Sequence, residues 1–165
     1  MAQDSLISVR QFVQEDVAEL LRLMKELAQL EGYMEEFAVT AADISARGLG
    51  HDPQFYALVA EVPGIEGPVG MAVCYTVPYT YTLKPDLILK ELVVDKSTRG
   101  RGIGARLFLE CQQLAFTLGC NQMLWKVLNG NSRAEKFYRR MGGSQDRKWE
   151  GWQRQLRSKS LDESI

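Results

Sequence analysis

The feature that most constrains this chain is a strand, a glycine-rich turn and a long helix in immediate succession. Leu87 to Asp95 reads L-I-L-K-E-L-V-V-D, β-branched and mostly apolar, the composition of a strand. Arg99-Gly100-Arg101-Gly102-Ile103-Gly104 follows, and Ile103, Leu107, Phe108, Cys111, Leu114 and Ala115 then line one helical face as far as Gly119. A helix N-terminus leaves its first N–H groups unpaired and carries partial positive charge. Glycines let an anion approach the backbone, and Arg99 and Arg101 add charge, so this is an anion-binding arrangement. Two other readings fit the same letters. One is a tight turn whose glycines serve only positive-φ geometry. The other is a dinucleotide fingerprint, because Gly100-x-Gly102-x-x-Ala105 satisfies G-x-G-x-x-A. That fingerprint belongs after the first strand of its unit, whereas here three or four strands precede the turn and no acidic residue closes a following strand at the required distance. The P-loop pattern G-x-x-x-x-G-K-[ST] is absent.

The remaining elements frame this unit. Ser5 to Val13 reads as a strand, and Val17, Leu20, Leu21, Met24, Leu27 and Ala28 as a helix with Asp16 as N-cap and Gly32 as stop. Thr40-Ala41-Ala42-Asp43 resembles a capping box with a shortened acid, opening a short helix to about Arg47. Phe55–Val62 and Val69–Val77, separated by P-G-I-E-G-P, form a hairpin. Met123–Leu128 is a short strand, and Asn131–Met141 a helix with Ala134, Phe137, Tyr138 and Met141 on one stripe, closed by Gly142-Gly143. A last strand or hairpin is expected over Trp149–Leu156. The order β-α-α-β-β-β-α-β-α-β describes an α/β protein, a mixed sheet with helices on both faces. Residues 1–165 make a single domain, with 157–165 a loose tail.

Charge removes several function classes. Twenty basic against twenty-one acidic residues give −1, without the excess of cations that nucleic acid wants. The longest apolar stretch, Val69–Val77, is far too short to cross a bilayer, and M-A-Q-D-S lacks the features of a signal peptide, so neither membrane nor secretion is expected. Cys74, Cys111 and Cys120 contain no C-x-x-C pair, and reduced cysteines in a cytoplasmic protein are expected. One histidine, His51, leaves no histidine-centred metal site and no Ser-His-Asp triad, so no metal is expected.

Arg99-x-x-Gly102-x-Gly104 after a strand ending V-V-D resembles the acyl-CoA pyrophosphate loop of the Gcn5-related N-acetyltransferases. Asn131-x-x-Ala134-x-x-Phe137-Tyr138, followed by Arg139-Arg140-Met141-Gly142, resembles the second half of that family's signature. Leu20–Glu36, Phe55–Val62 and Glu150-Gly151-Trp152 are similar to the spermidine/spermine and thialysine acetyltransferases, so the likeness runs from about Val9 to Trp152. It implies the acyl-CoA N-acyltransferase fold, a central sheet splayed between the strands at Leu87–Asp95 and Met123–Leu128, with acetyl-CoA as cosubstrate in the V. The resemblance assigns the pantetheine arm to the backbone of Leu92, Val93 and Val94, the pyrophosphate to Arg99, Gly100, Arg101, Gly102, Ile103 and Gly104, and a further arm contact to Asn131. It also implies a homodimer acting on a small-molecule amine.

Amine acetylation needs a neutral amine, a stabilised oxyanion and a proton for the departing thiolate. A backbone N–H near Leu92 or Val93 would supply the oxyanion contact. Tyr138, a phenol of pKa about 10, can protonate an alkyl thiolate without being ionised at neutral pH. Its alternative role is packing beside Phe137; at i, i+1 one ring can be core while the other faces the cleft. A primary amine is protonated at pH 7, and the candidate bases, acting through water, are the carboxylates Glu91, Glu31 and Glu150, with Glu91 set apart because it interrupts an apolar strand. By alignment Glu31 and Glu150 join Glu91 in the substrate site, with Trp152 as an apolar or cation–π wall. Each glutamate taken alone would more commonly be a solvated charge. Thr80, Thr82 and Lys90 stand where the polyamine enzymes have an acid, a tryptophan and a second acid. Each lost ion pair costs a polycation about 1 kcal/mol. Lys90 therefore suggests a zwitterionic amino acid (thialysine, lysine or ornithine), although alternation sends Lys90 and Glu91 to opposite faces unless a bulge intervenes. The expected activity is acetyl transfer to a diamine, polyamine or basic amino acid in a ternary complex. The alternatives are transfer to a peptide or protein amine, and a non-catalytic CoA-binding sensor.

Overall fold

The computed structural model describes residues 6–156. Ser5 and the tail from residue 157 lie outside them. Strand β1 (Ser8–Gln11) leads into helix α1 (Val17–Glu31), then α2 (Ala41–Gly48). β2 (Tyr56–Glu61), β3 (Gly70–Val77) and β4 (Asp86–Val94) follow as a meander, then α3 (Ile103–Thr117), β5 (Met123–Leu124) and α4 (Ser132–Arg140). The five strands lie in chain order; β1 to β4 are antiparallel and β5 runs parallel to β4.

Alternation along the strands sorts the core into two layers. Ala57, Val59, Met71 and Val73 face Leu20, Leu23, Met24 and Leu27 of α1 and Ile44 of α2. Leu58, Ala60, Ala72 and Cys74 face Ile103, Leu107, Phe108 and Cys111 of α3. Helices therefore cover both faces, as expected. Thr40 caps α2 as a full capping box: its Oγ1 accepts from Asp43 N at 3.2 Å, and Thr40 N donates to the Asp43 carboxylate at 3.0 Å. Gly32 stops α1 at φ +80°, its N–H donating to Ala28 O.

Three sequence expectations need correction, and a fourth point that the sequence left open is decided. Asp16 does not cap α1 through its side chain; its buried carboxylate accepts from Val13 N at 2.8 Å and from Arg10 at 2.6 Å, closing a turn ahead of the helix. The Met123–Leu128 strand pairs only at Leu87↔Met123 and Ile88↔Leu124, because residues beyond Leu124 leave β4 to become the wall of a cleft. The strand expected over Trp149–Leu156 does not form. No neighbouring strand offers it a ladder, and lone strand backbone leaves its N–H and C=O groups to water. Finally, β4 is not regular: Cys74 pairs with Leu89 while Val73 pairs with Glu91, so Lys90 is the extra residue of a β-bulge.

Candidate active site

β4 and β5 part after two residue pairs, and the V between them is a cleft of about 820 Å³. Leu92, Val93 and Val94 form one side of it, Lys126, Val127 and Leu128 the other, and the starts of α3 and α4 its far end. The strand edge beyond Ile88 thus faces open space where an extended amide chain could add as a strand. The Val94 carbonyl already accepts from Arg99 Nε at 2.8 Å.

The glycine turn is open, with a geometry that suits an anion. Gly100 and Gly102 sit at φ +81° and +83°, where a side chain is strained, and Gly102 is the N-cap of α3. A Cβ on Gly100 would meet nothing within 4 Å, so the turn is open on its outer side. Gly100, Gly102, Ile103 and Gly104 line the cleft. Arg99 lines it too, but its guanidinium is tied to Glu26 of α1 at 2.7 Å, which neutralises its charge. Arg101 is exposed and off the wall. Asn131 caps α4, its Oδ1 accepting from Ala134 N at 3.1 Å, and the residue lines the cleft.

Tyr138 lies on the cleft wall, within an aromatic cluster. Its ring is 5.1 Å from Trp125, 5.1 Å from Phe137 and 5.9 Å from Phe108. Phe137 and Tyr138 do not divide into one core and one cleft residue; both are half-buried and both line the cleft, since α4 itself forms the wall. Burial, then the charge of Glu31, pushes the Tyr138 phenol up to about 12. Glu31, the last residue of α1, lines the cleft and is exposed.

Glu91 occupies a different place. Paired with Val73, it faces the α1 side of the sheet rather than the main cleft, and its Oε2 is buried without a hydrogen-bond partner among the described residues. Burial raises its pKa, opposed by the neighbouring Lys90 and reinforced by Glu31. Tyr33, which sequence reasoning missed, is pushed up to about 12 by burial, then by Glu91 and Glu31. Glu31 is thus a charge felt by Tyr138, Glu91 and Tyr33 alike, between the cleft and the α1 side of β4. Lys90 is exposed beside Glu91.

Glu150 and Trp152 are not brought to this site. Both are exposed on the extended segment after α4, Trp152 at 91%, and neither lines the cleft. Cys74 and Cys111 are buried with sulfurs 3.6 Å apart, and no cysteine lines the cleft. Among the described residues, no three His, Cys, Asp or Glu side chains gather as a metal site, and no helix is long and apolar enough to cross a membrane. Also unanticipated are the cations Lys126, Arg133, Lys136 and Arg140 on the wall; the last three recur at i, i+3, i+7 along α4, a signal legible in the sequence.

A sheet splayed beside an open glycine turn, with a phenol on the opposite wall, suits an extended amide chain that ends in an anion. Residues 15–143 match the acetyltransferase (GNAT) family, and the chain belongs to it: it is an acetyl-transferring enzyme. It is 36% identical over 142 residues to the spermidine/spermine N(1)-acetyltransferase-like protein 1 of Homo sapiens, covering 83% of this chain but only 20% of that much longer protein. It is 29% identical over 153 residues to the thialysine N-epsilon-acetyltransferase of Bos taurus, covering 90% of each. The fold superposes with a TM-score of 0.76 at 19% identity on an aminoglycoside acetyltransferase from an uncultured soil metagenomic sample, over 93% of this chain and 99% of that one. A ribosomal-protein-alanine N-acetyltransferase from Brucella melitensis superposes at 0.69 and 20% identity, over 91% and 99%. The family's acetyl donor is acetyl-CoA, and the open strand edge and the open, positive-φ glycine turn fit its amide arm and its pyrophosphate.

Proposed function

We propose that the enzyme acetylates a primary amine of a small molecule, a diamine, polyamine or basic amino acid, by direct attack in a ternary complex. The observation that carries this reading is a protonated phenol on the α4 wall of the cleft, together with a buried carboxyl that has an unpartnered oxygen on β4, just before Leu92 and on the α1 side of the sheet. Acetyl-CoA would supply the thioester. In this reading Leu92, Val93 and Val94 hold the arm as an added strand, Asn131 contacts it from α4, and the N–H groups from Gly100 to Gly104 hold the pyrophosphate. A backbone N–H near Leu92 or Val93 takes the charge that develops on the carbonyl oxygen. Glu91, through water, removes the proton that the ammonium must lose before it can attack. Tyr138 gives its proton to the leaving sulfur; its raised pKa keeps that proton in place at neutral pH.

For the acceptor, the bulge at Lys90 favours the short zwitterions. It removes the objection of strict alternation and sets an ammonium beside the Glu91 carboxyl. Thr80 and Thr82 bond to each other at 3.0 Å and Thr80 to Lys84 O at 2.6 Å, so this loop offers a polycation no negative charge. Thialysine, lysine or ornithine is therefore favoured over spermine, with the amine at Glu91 and Glu31 and the carboxylate near Lys90. Glu150 and Trp152 enter this reading only through a homodimer, in which the exposed segment carrying Trp149 and Trp152 (74% and 91% exposed) packs on a second copy. Sedimentation velocity should give a dimer; a monomer at micromolar concentration would overturn that part. Free cysteines fit a cytoplasmic enzyme.

The test is thiol release from acetyl-CoA with spermidine, putrescine, lysine, ornithine, thialysine and a lysine-tailed peptide, for wild type and Tyr138→Phe. Turnover on a small amine, with kcat falling about 100-fold or more in the variant, is expected. Turnover on the peptide alone would move the acceptor to a protein amine. Acetyl-CoA binding without any turnover would favour a sensor.

A further inference from the structure

Away from the cleft, the core brings two thiols together. Cys74 of β3 and Cys111 of α3 are both fully buried, and the Cys74 thiol donates to Cys111 Sγ at 3.6 Å. They meet because the strand face carrying Ala72 and Cys74 packs on the stripe of α3 that carries Leu107 and Cys111. A disulfide holds its sulfurs about 2 Å apart, so the pair has only to close by about 1.5 Å. The chain between them contains all of β4, the bulge at Lys90, the glycine turn and the first half of α3. A bond here would close that whole stretch as one loop.

A small molecule has a route towards the pair. A separate cavity of about 260 Å³ is lined by Phe108, Ala115 and Cys120, among others. Phe108 and Ala115 stand at i−3 and i+4 from Cys111, on its own face of α3, so the cavity reaches the side chains that flank the buried thiol. The third cysteine, Cys120, is only partly buried.

We propose that Cys74 and Cys111 form an oxidation site, which hydrogen peroxide closes to an intramolecular disulfide that staples β3 to α3. The two thiols give up two electrons and two protons, and peroxide takes them as two waters. The Cys111 sulfur attacks one peroxide oxygen, the O–O bond breaks, and a sulfenic acid and one water form. The Cys74 sulfur then attacks the sulfenic sulfur. The S–S bond forms, the S–O bond breaks, and a second water leaves with the Cys74 proton. Contact with Cys74 and burial hold the Cys111 thiol protonated, so closure is slow and the reduced pair is the resting state.

The test is oxidation of the folded chain with hydrogen peroxide, followed by alkylation in denaturant, peptide mass mapping and thermal melts. Wild type should lose two hydrogens, keep Cys120 as its alkylated cysteine, and yield a linked Cys74–Cys111 peptide that dithiothreitol separates. Its Tm should rise by about 5 °C or more on oxidation, the gain a closed loop of this length gives. Cys120→Ala should behave as wild type. Cys74→Ala and Cys111→Ala should give neither the linked peptide nor the rise in Tm, and melts of the reduced variants establish that each is folded. A bond from Cys120 to either buried thiol, or cysteines carried to sulfinic acid without any bond, overturns the proposal. So does a Cys74–Cys111 bond that forms only in denaturant, or one that lowers Tm. None of these readouts involves acetyl-CoA, so the acetyltransferase reading stands or falls separately.

Discussion

Glu91 shows how one residue can oppose stability and serve chemistry. A carboxyl with a buried, unpartnered oxygen favours its neutral form, which is why its pKa is raised. The sign follows from linkage. With a folded pKa above the unfolded one, the folded state is favoured most below the unfolded pKa, and that advantage is lost as pH rises through the folded value. Above the folded pKa the ionised carboxylate is therefore a burden on the fold. Glu91→Gln should raise Tm by about 2–4 °C, corresponding to about 1 kcal/mol, while lowering kcat/KM and abolishing its acidic limb. Differential scanning calorimetry with a pH–rate profile checks both; a lower Tm, or an acidic limb unchanged in the variant, would sink the assignment. Tyr138 gives the complementary limit, since a phenol at about 12 sets no alkaline limb in the range where the assay runs. The sequence already singled out Glu91, because an acid within L-I-L-K-E-L-V-V is conspicuous. It did not single out Tyr33, because a tyrosine after a helix-stopping glycine looks like any other loop aromatic until the chain folds it beside Glu91 and Glu31.

The α4 wall works as an element because its rings are fixed from behind. Trp125, just after β5, lies edge-on to Phe108 of α3 and against Tyr138 of α4, so three elements lock the phenol's orientation. Gly143, after the end of α4, makes this possible. Its N–H donates to Tyr138 O, and a Cβ there would sit 2.5 Å from Trp125 Cζ2 and 3.1 Å from Tyr138 O. Gly143→Ala should displace the Trp125–Tyr138 contact, destabilising by about 1–3 kcal/mol and lowering kcat more than it raises KM for acetyl-CoA. Urea unfolding and steady-state kinetics measure the two effects; a variant with wild-type kcat would show that the phenol is not held this way. The helices themselves were legible. The stripe on α3, the capping box at Thr40 and the stop at Gly32 are local properties, each set by residues within two turns of one another. The short β5 was not, because how far a strand extends depends on whether its neighbour stays beside it.

At the scale of the whole molecule, the first strand, the second strand and the entry to α1 meet at one cation. Arg10 bonds Asp16 and Glu61, each at 2.6 Å, and the Asp16 side chain is only 6% exposed. Burial pushes the Asp16 carboxyl up, but Arg10 and Val13 N–H together outweigh it and hold it below the usual carboxylate range. A depressed folded pKa gives stability that is present above the unfolded value and lost as pH falls through the folded one. Thermal melts from about pH 7 to pH 2 should therefore show Tm falling below about pH 4. Arg10→Met should cost about 1–3 kcal/mol at neutral pH, discounted because Arg10 is 39% exposed, and should flatten that acid slope. An unchanged slope would assign acid sensitivity elsewhere. The sequence by itself determined the hairpin of β2 and β3, the glycine turn at the head of α3, the two helix-covered faces and the family, because periodicity, caps and turn residues act over a few positions. Only the tertiary structure decided that Lys90 bulges out of β4, that β4 and β5 part after two pairs, that Glu31 joins Glu91 to Tyr138, and that the segment from Trp149 finds no strand partner. Those outcomes depend on which distant backbones lie within hydrogen-bonding reach and which charges share a buried space, and no run of neighbouring residues carries that information.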